Sequence, residues 1–159
     1  MTGDVFTRVT DLAFFAGLSP EQLRQLCEAG RPASYRPGER LFAEGGPADR
    51  FWLVETGSVA LDLRVPGRGD QVIETLSGGS VLGWSWLHPP YRWQFGAVAR
   101  EALDTIAFGG ASVRTRCDAD PAFGYAMLRL FVPVITDRLH ATRLRLLDLY
   151  ATPAQAGKP

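Results

Sequence analysis

The 159-residue chain is long enough to bury one real core, and its seventeen basic residues balance seventeen acidic ones. An apolar fraction of 46% beside 21% charged residues is that of an ordinary globular domain. The balance excludes the global positive field of a dedicated nucleic-acid binder, and no run of about eighteen apolar residues or leader-like segment points to a membrane or to secretion.

The two cysteines, Cys27 and Cys117, stand far apart and in no metal-binding pattern, so the expectation is two free thiols in a reducing, cytoplasmic compartment. The first segment with clear texture is Thr10–Ala29, TDLAFFAGLSPEQLRQLCEA, which predicts two short helical pieces separated at Gly17. Ser19 is an N-cap candidate with Pro20 at the first helical position, and Leu23, Leu26 and Cys27 recur on one buried face.

From Arg31 to Ala111 the texture changes to short apolar runs divided by turn clusters such as RPGE, EGGPAD, PGRGD and LSGGS. Val59, Leu61, Leu63 and Val65 alternate with Ala60, Asp62, Arg64 and Pro66, as in a strand with one buried face. The segment predicts an antiparallel roll or sandwich. Beyond Arg116 a helix is predicted to about Tyr150, with Asp118 or Asp120 as its cap and Pro133 as a kink or joint. Tyr125, Leu128, Val132, Ile135, Leu139, Thr142, Leu146 and Leu149 fill a and d heptad positions along it. A second row, Met127, Phe131 and Val134, is available to pack on the roll, so the heptad row is assigned to a parallel homodimer. Residues 1–150 form one domain in this reading, with the roll at about 31–113, the long helix at about 119–150, and 151–159 a disordered tail.

The turn glycines and their neighbours carry a resemblance. Gly38, Glu39, Leu41, Phe42, Glu44, Gly45, Ala48, Asp49, Gly57 and Val59 match the pattern G-E-x-L-F-x-E-G-x-x-A-D followed by G-x-V. The chain thus resembles, over residues 12–150, the cyclic-nucleotide-binding domain of the catabolite activator and Fnr-type regulators. The resemblance implies an α+β fold: an antiparallel β-roll (a jelly-roll-like double-stranded β-helix) flanked by short N-terminal helices and one long C-terminal dimerisation helix. A helix-turn-helix domain follows that helix in such regulators; with nine residues beyond Tyr150, the expectation is a stand-alone module without direct nucleic-acid contact.

In the resembling family a phosphate-binding cassette, F-G-E-x-A-L and then R-[STA]-A, holds the ligand. Its glutamate takes a ribose hydroxyl and its arginine the cyclic phosphate. Here VLGWSWLHPPYRWQFGAVA keeps Gly83, but Trp84 stands at the glutamate position. Counting back from Ala99 places Trp93 at the arginine position and Arg92 one residue early, on the opposite strand face. Indole neither accepts a hydrogen bond nor neutralises phosphate, so ordinary cyclic-AMP binding is not expected and no cofactor is assigned. Gly83, Trp84, Ser85, Trp86, Arg92, Trp93 and Thr142 are the candidate site residues of this degenerate cassette.

Three readings of the tryptophans stand open: rings that fill a closed pocket, an altered pocket for an apolar or planar ligand, or a partner-protein patch. Arg92 with main-chain donors offers an alternative cyclic-nucleotide contact. Thr142 matches the position from which family members reach the purine across the dimer, and is read here as a polar residue tuning helix pairing. No catalytic arrangement is present: His88 and His140 belong to no motif, Ser77–Gly79 and Gly67–Asp70 read as turns, and the four cysteines of an Fnr-type cluster are missing. The function expected is a non-catalytic regulatory or sensor module, responding to a small ligand or a partner protein.

Overall fold

The computed structural model describes residues 2–156, with side-chain surroundings from 5 to 151. Helices α1 (Thr2–Val9) and α2 (Pro20–Cys27) lead into eight strands, β1 (Gly30–Tyr35), β2 (Arg40–Phe42), β3 (Arg50–Thr56), β4 (Ser58–Val65), β5 (Gly69–Ser77), β6 (Val81–Leu82), β7 (Gly96–Ala99) and β8 (Leu103–Gly109). Two helices follow, α3 (Gly110–Ala119) and α4 (Pro121–Ala156). The strands form two antiparallel four-stranded sheets, ordered β1-β8-β3-β6 and β2-β7-β4-β5, so the expected roll between short helices and one long helix is present.

The β3 sequence RFWLVET explains how the layers stack. Phe51, Trp52, Leu53 and Val54 are all buried, because this sheet is covered on both faces. Phe51 and Leu53 join a core with Phe108, Phe123, Met127 and Phe131 beneath the helices. Trp52 and Val54 join Leu61, Leu82, Trp93 and Leu103 between the sheets. The alternation read in β4 fails at its start, where Val59, Ala60, Leu61 and Asp62 are all buried, and holds only over Leu63, Arg64 and Val65. Asp62 is buried in an ion pair with Arg40, 2.7 Å; opposite the Leu61–Asp62 step the partner strand β5 carries an extra residue, Ile73, and beyond this bulge Leu63 and Val65 are half-buried.

At α2 the Ser19 side chain accepts from the Gln22 backbone N–H (3.1 Å) while Gln22 Oε1 accepts from the Ser19 N–H (3.0 Å), a complete capping box. The first predicted helical piece is a single 3-10 turn, Ala13–Phe15, and α1 lies upstream of any helix that was predicted. Gly57 joins β3 to β4 at φ +92°, where an added Cβ would stand 2.2 Å from the Ala102 carbonyl oxygen; no other residue fits there.

The C-terminal helices correct the sequence reading in several respects. Helical structure starts at Gly110, inside the expected roll, and α3 is a separate helix. Asp120, in extended backbone, breaks it from α4 and caps the latter by accepting from the Phe123 N–H, 3.3 Å. Pro133 is no joint, since α4 runs through it unbroken. The helix also continues to Ala156, into the stretch expected as tail, of which residues 157–159 lie outside the described residues. Its inner row is Phe123, Met127, Phe131 and Val134, all buried.

Candidate functional site

The cassette segment begins at Leu82 on β6. Gly83 follows at φ +98°, and a side chain there would bring its Cβ 3.0 Å from the Trp93 ring. This left-handed turn feeds a 3-10 turn, Ser85–Leu87, which rotates successive side chains in different directions. Trp84 remains half-buried beside the roll, its ring edge-on to Phe95 at 6.3 Å. Ser85 is buried at the same wall. Trp86 turns the other way: fully buried, it stacks on Phe51 at 4.9 Å and meets Phe131 edge-on at 5.2 Å, in the core beneath the helices. The structure therefore separates Trp86 from the other cassette residues.

In the loop that leads into β7, Trp93 is 4% exposed and packs in the core between the sheets, whereas Arg92, its neighbour, is exposed. Arg92 pairs through its backbone with Pro47, and its carbonyl accepts from the Gln94 side chain. The Trp93 ring lies 4.0 Å from Phe42 at an interplanar angle of 20°, and Phe42 in turn stacks on Trp52 at 5.3 Å. The Trp52 indole N–H donates to Tyr35 Oη at 3.0 Å, which fixes the end of this three-ring ladder.

What remains between Phe42, Leu61, Leu82, Trp84, Trp93 and Phe95 is a cavity of about 10 Å³. Such a space holds about one water molecule at most. Sites for small organic ligands run to roughly 300–1,000 Å³. Trp84, Trp93, Phe42 and Phe95 form most of the wall of this small space.

One cation reaches this cavity, and it is a residue the sequence reading passed over. Arg138 of α4 is 7% exposed, lines the cavity and pairs with Glu74 on β5. The signal was available in the spacing: Met127, Phe131, Val134 and Arg138 continue one inward row at steps of four, three and four. Thr142, one turn further, is half-buried and donates its hydroxyl to the Arg138 carbonyl at 2.7 Å, so its proton is taken up within the helix. The outer row is bare: Leu128, Val132, Leu139 and Leu146 are exposed, Leu139 to 60%, while Ile135 and Leu149 are half-buried.

Titratable chemistry is sparse. Among the described residues no three of His, Cys, Asp and Glu gather where a metal could be held. Neither thiol is in a disulfide; burial pushes Cys27 up to about 11, and burial with nearby Asp118 and Asp120 raises Cys117. Asp104 is held below its ordinary range by hydroxyl donors from Ser34 and Thr56, with Arg8 adding a smaller effect; it clamps β1, β3 and β8 at the surface, away from the cavity.

The sheets, the cassette turn and the long helix define a ligand-sensing class of domain. Residues 32–120, more than half of the chain, match the cyclic nucleotide-binding domain family, and the chain belongs to that family. It is similar to the CRP-like cAMP-activated global transcriptional regulator of Mycobacterium tuberculosis, with 23% identity over 91% of this chain and 63% of that protein. The chain therefore spans less than two thirds of that relative's length. A shorter match, 34% identical over 48% of this chain and 23% of the relative, is to the acetyltransferase Pat of Mycolicibacterium smegmatis. Among solved structures, a cyclic nucleotide-binding protein of Geobacter metallireducens superposes with a TM-score of 0.73 at 26% identity, covering 84% of this chain and 96% of that one. No helix among the described residues is long and apolar enough to cross a membrane.

Proposed function

We propose that this member of the family is a non-catalytic regulatory module whose nucleotide pocket is permanently occupied by its own aromatic side chains. The observation that carries this reading is the residual cavity of about 10 Å³ at the cassette, walled by Trp84, Trp93, Phe42 and Phe95. Neither polar anchor of the family cassette has a substitute at its own position. Arg92 is turned to solvent, and the inward cation, Arg138, is already neutralised by Glu74. A sugar-phosphate entering this space would have to displace rings that each bury roughly 150–250 Å². It would also find no free guanidinium among the described cavity residues.

The module works as a homodimer in this reading, paired along the exposed row of Leu128, Val132, Leu139 and Leu146. Support comes from the division of labour on α4: the inner row is consumed by the roll, and the outer row keeps heptad spacing without an intrachain partner. The two cysteines, neither in a disulfide, suit a reducing, cytoplasmic setting. Tryptophan fluorescence and thermal unfolding, followed during titration with cyclic AMP and cyclic GMP, test the closed pocket. The reading expects neither quenching nor a rise in midpoint at millimolar nucleotide. A saturable shift lost in Arg92→Ala would replace it with nucleotide binding through Arg92.

A further inference from the structure

A larger hollow lies outside the cassette pocket, on the far side of the Ser85–Leu87 turn. It has a volume of about 430 Å³ between the cassette loop, α3 and the start of α4. Leu87, Pro121, Tyr125 and Leu128 give it apolar walls, and Tyr91, Arg114 and Cys117 also face it. Its size is in the range of small-ligand sites, unlike the space at the cassette.

Arg114 gives the hollow its chemistry. Its guanidinium carbon sits 4.2 Å from the centroid of the Tyr91 ring, and Nη1 donates to the Trp86 carbonyl at 2.6 Å. The stack and the hydrogen bond hold the group in place, which removes much of the ordering cost a ligand would otherwise meet. Among the described residues no carboxylate lies within ion-pair distance of it, although seven other arginines are so paired. Asp118, one helical turn onward at the same hollow, disfavours a ligand carrying several negative charges.

We infer that this hollow is a binding site for a small amphipathic monoanion, an apolar or aromatic body bearing one carboxylate or sulfonate. The body lies against Leu87 and Pro121, inward of the dimer row that begins at Leu128, and the anion meets the open edge of Arg114. The site is distinct from the family's nucleotide pocket, from which the cassette turn divides it, and it does not require that pocket to be closed.

The test uses anilinonaphthalene sulfonate and its uncharged counterpart phenylnaphthylamine, which share an aromatic body and differ in the anion. Fluorescence titration should give saturable binding of the sulfonate at one site per chain. Arg114→Gln should weaken it about tenfold and leave the neutral dye unchanged. Location is read from Cys117, which lines the hollow, while Cys27 is fully buried and serves as control. Bound sulfonate should slow N-ethylmaleimide modification of Cys117, followed by peptide mass spectrometry at mildly alkaline pH. If Arg114→Gln does not fold, protection of Cys117 in the unaltered chain decides the matter. The proposal is overturned by equal affinity for both dyes, by sulfonate binding that leaves Cys117 unprotected, or by no binding. It is also overturned if Cys117 becomes shielded without dye as protein concentration rises, since a second copy would then fill the hollow.

Discussion

Trp93 concentrates the account in a single side chain. Its ring is the partner of Phe42, the neighbour of Gly83 and a wall of the small cassette cavity. Replacing it with alanine removes a buried aromatic from a packed site, so Trp93→Ala should lower stability by about 3–5 kcal/mol in urea unfolding. A loss under about 1 kcal/mol would mean that the ring is not packed as described. Cys27 gives a pH prediction at the same scale. Its ordinary value is 9.0, and burial raises it to about 11 in the folded chain. Below the ordinary value both states hold the proton. Between the two values the unfolded chain releases a proton that the folded chain keeps, so Cys27 contributes a loss of stability as pH rises through that window. Unfolding measured across it should show a steeper decline for the native chain than for Cys27→Ala; parallel curves would contradict the buried thiol. Residue by residue, the opposite exposure of Arg92 and Trp93 agrees with the expectation from the sequence that these neighbours face different ways. The direction of Trp86 was not, since a 3-10 turn follows neither strand nor α-helical spacing. Arg138 was missed because a charge on a long helix ordinarily reads as solvated.

The elements differ in how loudly their sequences announce them. Ser19 with Pro20 and Gln22 declares the start of α2, and glycines at the strand turns declare the roll. Helix α3, GASVRTRCDA, has no side-chain cap and no apolar stripe, and buries only Gly110 and Val113, so nothing in its own residues separates it from a loop. Tertiary packing decides it, through the bond from Gly110 N to the Asp49 carbonyl at 2.8 Å and the contact of Gly110 with Trp86. Helix α4 carries the opposite case, a pattern strong enough to state two faces. Phe131→Ala, on the inner face, should cost about 3–5 kcal/mol even in dilute protein. Val132→Ala, one residue on and 56% exposed, should change the stability of the isolated chain by under about 0.5 kcal/mol. Equal losses in denaturant unfolding at low concentration would remove the distinction between the faces.

At the scale of the molecule, the two cores hold α4 on one side and leave its outer row exposed, the row along which the homodimer is proposed to pair. The pair Val132→Glu and Leu139→Glu should convert a two-chain species into a one-chain species in sedimentation equilibrium, with the fold retained by circular dichroism. Both variants and the native chain running as one-chain species at high concentration would exclude pairing along this row. The overall architecture was readable because turn chemistry and period are local signals. Which rings meet beside the cassette was readable only in part, because Phe42, Trp52 and Phe95 come from segments distant in sequence and meet their partners only once the sheets are stacked. Calorimetric titration of the native chain with cyclic AMP tests the closed pocket most directly. The account predicts no binding heat beyond dilution at millimolar nucleotide; saturable one-to-one binding with a micromolar Kd would contradict it.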